Sequence, residues 1–236
     1  MTAEQILAQL KELGQESYKK VIMKHGIQEP VYGVKIEEMK KIVKQVKNGY
    51  DVSLKLYDSG IYDAMYLAGL LTEPEKMTEK QLQHWAEKAN APVLREYTVA
   101  WVAAEGPHAM KKAMEWIEAK DEQLQSIGWS VLSNIVSLKA DADLDIALLS
   151  KLLKRVIKDI HNSTNRVKLA MNGFVIALGT YVQPLTEAAK KAAKDIGKVT
   201  ADMGDTACKI PAAAEYIEKA EKKNAIGKKK KSARCL

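Results

Sequence analysis

Apolar residues recur at α-helical spacing in one segment after another, and no long polar linker interrupts the series before residue 198. A stripe such as Ile36, Met39, Ile42, Val43 and Val46 needs a partner surface along its whole length. The same holds for Ile146, Leu149, Leu152, Leu153, Val156, Ile157 and Ile160, and for Val167, Ala170, Met171, Phe174, Val175 and Leu178. Thr2 with Gln5 and Thr78 with Gln81 have capping-box spacing. Pro92, Pro107, Pro184 and Pro211 stand where a first helical turn tolerates a missing N–H, and Gly14, Gly26, Gly49, Gly60 and Gly106 punctuate helix ends. These signals predict helices over residues 3–13, 15–25, 35–48, 51–59, 61–71, 78–90, 92–105, 107–119, 121–137, 143–160, 164–181, 184–198 and 211–223. Many short helices joined by tight turns suit antiparallel pairs stacked side by side better than a four-helix bundle. The expected fold is therefore all-α: an α-α superhelix, or curved solenoid, of HEAT-like helix pairs, with a face suited to binding something long.

The composition agrees. Apolar residues make up 47% of the 236, enough for a continuous core, and a single Phe with six Pro leaves little material for sheets. The longest low-polarity stretch, around Gly173 to Val182, is far shorter than the roughly 18 residues a membrane span requires. The N-terminus, with Glu4 among Ile6, Leu7 and Leu10, lacks the pattern of a signal peptide, so a cytoplasmic location is expected. Cys208 and Cys235 form neither a metal pattern nor a disulfide framework. His25, His84, His108 and His161 lack metal-ligand spacing, and no cofactor is expected. Phosphate-loop, dinucleotide-binding, serine-hydrolase and zinc-protease motifs are all missing.

The net charge of +7 is a property of the end of the chain. From Lys219 to Leu236 there are eight Lys or Arg against Glu221 alone, and the rest of the sequence sums to zero. Residues 1–223 are thus read as one solenoid domain and residues 224–236, with the block Lys228 to Lys231, as a basic, disordered tail. Within the body the charges cluster locally. Lys151, Lys154, Arg155, Lys158, Arg166 and Lys168 face only Asp159 as a counter-charge between residues 151 and 170, and Lys40, Lys44 and Lys47 repeat at i, i+4, i+7 beside Lys41. Such ridges can track phosphates, or can be ordinary solvated faces. Trp101 and Trp116 lie among core-forming neighbours, whereas Trp129 is a candidate groove aromatic able to meet a base or a cationic lesion. The stretch Gly204 to Pro211 is a turn-rich segment ahead of the last helix; its functional reading joins Asp205, Thr206 and Lys209, with Cys208 as a nucleophile given a neighbouring base.

The segment Tyr32-Gly33-Val34-Lys35-Ile36-Glu37-Glu38-Met39-Lys40-Lys41-Ile42-Val43-Lys44 resembles the start of the AlkD-like DNA alkylation repair proteins, where an aromatic-Gly-Val and a basic residue open a helix. Trp116-Ile117-Glu118-Ala119-Lys120-Asp121-Glu122 is similar to a Trp-x-x-Ser helix end of that family, and Gly179 to Pro184 falls where a similar Gly and Pro follow a later helix. The resemblance covers most of residues 30 to 200. It implies HEAT-like helix pairs gripping duplex DNA and, in active members, excision of N3- or N7-alkylated purines as a DNA glycosylase, without metal or cofactor. There an Asp offsets positive charge on the sugar and orients water, with aromatic side chains beside the lesion.

By order, the family's Trp-Asp-x-x-Asp falls here at Ala91-Pro92-Val93-Leu94-Arg95, so both signature residues are replaced. The later aromatic falls near Asn172-Gly173, which is not aromatic either. Glu96 is the nearest carboxylate, one residue on and about 100° around an α-helix. A shifted alignment brings Trp129 and Ser133 instead, and a serine carries no charge at neutral pH. The expected function is DNA binding of the alkylation repair type, by a monomer on duplex backbone phosphates, with altered or lost excision. The expected contacts are Lys40, Lys44, Lys47, Arg95, Lys151, Lys154, Lys158, Arg166 and Lys168. A non-enzymatic module for unusual nucleic-acid structure and a protein-binding scaffold are the alternatives.

Overall fold

A computed structural model describes residues 1–202 and 209–235; the Asp205, Thr206 and Cys208 of the turn-rich stretch lie outside the described residues. Among those described, the regular structure is helical: α1 (Ala3–Leu13), α2 (Glu16–Met23), α3 (Ile36–Val43), α4 (Gly49–Asp58), α5 (Tyr62–Leu71), α6 (Glu79–Lys88), α7 (Ala100–Glu105), α8 (Ala109–Ile117), α9 (Glu122–Leu138), α10 (Ile146–Asp159), α11 (Asn165–Tyr181), α12 (Thr186–Ile196) and α13 (Ala213–Lys222). The all-α arrangement of antiparallel, HEAT-like helix pairs expected from the periodicity is what the chain adopts. It divides into two compact units, the first holding residues 1–108 with Arg234 and Cys235, the second residues 109–202 and 209–233.

Both expected capping boxes form. The Thr2 and Thr78 hydroxyls accept the Gln5 and Gln81 N–H, and each glutamine side chain accepts the N–H of its cap. In the first unit α4 pairs with α5, whose ten residues are all buried. Tyr57 stacks on Trp85 at 4.1 Å between ring centres and donates its hydroxyl to the Trp85 carbonyl at 2.8 Å. In the second unit α9 packs on α8 and on α11. Gly128 makes the first contact close, since a Cβ there would lie 2.7 Å from the Ile117 side chain and 2.9 Å from the Ala113 carbonyl.

Two sequence expectations need correction. The helix read as 35–48 stops at Val43, so Lys47 is off the helix and the three-lysine ridge is broken after Lys44. The tail read as disordered is instead held by hydrogen bonds. In the second unit the Gly227 N–H donates to the Thr180 carbonyl at 2.9 Å and the Lys230 N–H to the Ser137 carbonyl at 2.8 Å. Lys229 Nζ donates to the Val136 carbonyl at 2.9 Å and lies 2.8 Å from Asp141 Oδ1, the latter an ion pair without hydrogen-bond alignment. In the first unit Arg234 pairs with Glu105 at 2.8 Å and donates to the Thr72 carbonyl at 2.9 Å. Lys229 and Arg234 thus sit at the C-terminal ends of α9 and α5, where unpaired carbonyls and the negative end of the helix dipole favour a cation. Counting only the tail's apolar surface misses that source of order.

Candidate nucleic-acid interface

The second unit carries the denser group of cations. On α10, Leu149, Leu152, Leu153 and Val156 are buried, which turns Lys151, Lys154 and Lys158 outward at i, i+3 and i+7. All three are exposed. Arg166 and Lys168, half-buried, lie in the first turns of α11. Long Lys side chains on one exposed face can each reach a phosphate oxygen while their stems lie on the helix.

Arg155 does not belong to this face. Its guanidinium pairs with Glu118 through Nη1, donates from Nη2 to the Ile117 carbonyl at 3.2 Å, and lies 5.8 Å from the ring centre of Trp129. Trp129, the expected groove aromatic, is 0% exposed and packs on Phe174 at 5.3 Å. It is a core residue joining α9 to α11, because the α9 stripe of Ser126, Trp129, Leu132 and Val136 turns inward as a whole. Asn172, where the family's later aromatic was expected, is buried and donates to the Pro211 carbonyl at 2.9 Å. Its neighbour Gly173 has nothing within 4 Å of where a Cβ would stand.

In the first unit Lys40 is half-buried, while Lys44 and Lys47 are exposed. The aromatic-Gly-Val that opens α3 proves to be architecture. Asp63, 0% exposed at the start of α5, accepts the N–H of Tyr32 at 2.6 Å and of Val34 at 2.8 Å. Burial raises its carboxyl above the ordinary range, and the surrounding backbone N–H groups of Val34, Tyr32 and Gly33 pull it back. Gly33 has φ +77°, and a Cβ there would stand 2.7 Å from the Gln15 carbonyl oxygen.

The expected catalytic region lies in the same unit. After Ala91 the chain starts a helix, winds as a π-helix over Leu94–Val99, and continues as α7. Arg95, half-buried, donates from Nη1 to the Ala89 carbonyl at 2.8 Å, so its cation is held at the end of α6. Glu96 is half-buried in the π-helical turn. Beside them is an aromatic group with no distinguishing mark in the sequence: Tyr97 meets Trp101 edge-on at 5.6 Å, Trp101 meets Tyr66 at 5.9 Å, and Tyr66 lies 6.4 Å from Tyr62. Burial and the neighbouring Cys235 thiol push the Tyr66 hydroxyl above the usual tyrosine range.

The histidines serve the surface. His84 lies 2.6 Å from Asp58, and His161 contacts the Ile196 carbonyl at the end of α12 at 2.8 Å. Among the described residues no three His, Cys, Asp or Glu side chains stand together as a metal site, and no helix is long and apolar enough to cross a membrane.

A sequence profile of the DNA alkylation repair enzymes matches residues 6–217. The chain belongs to that family. Two uncharacterised proteins, one of Listeria monocytogenes and one of Listeria innocua, are 33% and 31% identical to it over 226 residues, covering 93% of this chain and 97% of each relative. A solved structure superimposes over 100% of both chains with a TM-score of 0.93 and 33% identity. That protein is described as one of a new family related to the HEAT-like repeat DNA glycosylases, with affinity for branched DNA structures. Family membership therefore extends through both units.

Proposed function

We propose that this protein binds branched DNA through its backbone phosphates and excises alkylated purines weakly or not at all. The observation that carries the reading is the exposed face of Lys151, Lys154 and Lys158 on α10, in a chain that matches the branched-DNA-binding relative along its full length. Evenly spaced ammonium groups recognise the spacing of phosphates and not the identity of bases, which suits recognition of strand arrangement. Arg166 and Lys168 add to that face, and Lys40, Lys44 and Lys47 are the contacts in the first unit.

Against excision stands the charge where a carboxylate is needed. Arg95 stays protonated at any relevant pH and is tied to the Ala89 carbonyl. Beside a sugar gaining positive charge it raises the barrier, and beside a cationic purine it opposes binding. Glu96 remains the one carboxylate proposed for any residual activity.

The test compares binding to a four-way junction with binding to a duplex of the same sequence over a range of salt, and assays base release from methylated duplex. Tighter junction binding with a steep salt dependence and negligible release supports the reading. Equal affinity for the two DNAs rejects the first half; efficient release abolished by Glu96→Gln rejects the second and makes Glu96 catalytic. A protein that binds neither DNA leaves the scaffold reading in its place.

A further inference from the structure

Helical periodicity places Leu94, Tyr97, Thr98 and Trp101 at i, i+3, i+4 and i+7, the spacing of a single buried stripe. Three of the four obey it: Leu94 and Thr98 are 0% exposed and Trp101 is 8% exposed. Tyr97 is 50% exposed. The cause lies in the backbone, because the residues winding as a π-helix from Leu94 to Val99 have their hydrogen bonds one residue further along than in an α-helix and so shift the phase of the stripe.

This local arrangement costs stability. A π-helical turn is less favourable than an α-helical one, and the Thr98 hydroxyl is buried with no hydrogen-bond partner among the described residues. Gly69 makes room for the turn, since a Cβ there would stand 2.4 Å from the Thr98 methyl group. What the distortion yields is one aromatic ring presented to solvent on a rigid base. Tyr97 leans on Trp101, and Trp101 on Tyr66, which is 4% exposed. A ring fixed in this way loses little side-chain entropy when a flat partner covers it.

We propose that Tyr97 is the residue on which an unpaired base at a DNA branch point stacks. The proposal rests on the reading of the protein as a binder of branched DNA and adds the part of the DNA that this ring takes. Branch points differ from duplex in offering bases with a free π-face, and stacking on an aromatic side chain is indifferent to base identity. The phosphate-binding lysines respond to how the strands are arranged and not to a base left unpaired, so the ring adds a contact that they do not make.

The experiment uses the full chain and a three-way junction with 2-aminopurine as an unpaired base at the branch point. Binding by the wild type is expected to change the 2-aminopurine emission. Tyr97→Ala is expected to lose that change and to weaken junction binding about tenfold, with duplex binding and the salt dependence unaltered. Tyr97→Phe keeps the ring and is expected to behave as wild type. Tyr97→Leu, which retains apolar contact with Trp101 but has no π-face, is expected to behave as Tyr97→Ala, and circular dichroism of each variant checks the fold. An emission change that survives Tyr97→Leu overturns the stacking while leaving branched-DNA binding in place. A wild type that holds the junction no tighter than the duplex removes both.

Discussion

Asp63 accepts the backbone N–H of Val34 through Oδ1 at 2.8 Å, fixing the strand-like approach to α3 against the start of α5. The same carboxylate takes the Tyr32 N–H, so one buried side chain satisfies two backbone donors that have left regular structure. Replacing it with Asn leaves one oxygen where two are needed and turns an amide N–H toward a donor. Asp63→Asn should lower the unfolding free energy of the protein by about 2 kcal/mol, measured by urea denaturation at neutral pH. The raised carboxyl of Asp63 fixes the pH dependence. The protonation-linked part of its contribution is fully present below the unfolded-state value and is lost as pH rises through the folded one, while the two accepted N–H bonds remain at neutral pH. Wild-type stability relative to Asp63→Asn should therefore grow on acidification through the carboxylate range; a gap that shrinks there contradicts the assignment.

Gly33 closes the same turn in the left-handed region. Gly33→Ala brings both the strain of positive φ and a Cβ 2.7 Å from the Gln15 oxygen and from Lys19. The expected loss is at least about 1 kcal/mol, read as a lower thermal midpoint. An unchanged midpoint shows that the backbone relaxes at no cost.

Gly173 behaves in the opposite way. It lies inside α11, with ordinary helical neighbours and open space at the Cβ position. Gly173→Ala should stabilise the protein by about 0.5–1 kcal/mol through helix propensity alone. If junction binding weakens at the same time, DNA passes close to this backbone.

Arg234 and Glu105 form an ion pair in which the side chains are only 16% and 14% exposed. Arg234→Ala removes the cation that lies 2.8 Å from the largely desolvated Glu105 and should cost about 2–3 kcal/mol, while deletion of residues 224–236 should cost more. Thermal melts of the two variants decide whether the C-terminal segment is part of the folded body. Melts identical to wild type restore the free tail read from charge alone.

Lys154 and Lys158 stand exposed on one face of α10 and are expected to meet phosphate. Either one replaced by Ala should weaken binding to all DNA sequences alike and reduce the salt slope by about one unit. Altered sequence preference at an unchanged slope would place these residues against bases instead.

The sequence by itself determined the helices, because each needs an apolar stripe at a fixed period whatever it packs against, and capping spacings such as Thr2–Gln5 and Thr78–Gln81 act within a single turn. It also determined the family, through local segments such as Tyr32 to Lys44 whose purpose it left unstated. What tertiary structure decided were the relations between distant residues. Tyr32-Gly33-Val34 acquires its meaning only from Asp63 about thirty positions on; Trp129 is buried because α11 brings Phe174 to it; and the basic tail is ordered because helix C-termini far away in sequence offer carbonyls to Lys229 and Arg234. Tyr97 is the sharpest case. Its spacing assigns it to the buried stripe, and it is exposed because one π-helical turn changes the phase of the helix, a change of hydrogen-bond register that α-helical periodicity does not reveal.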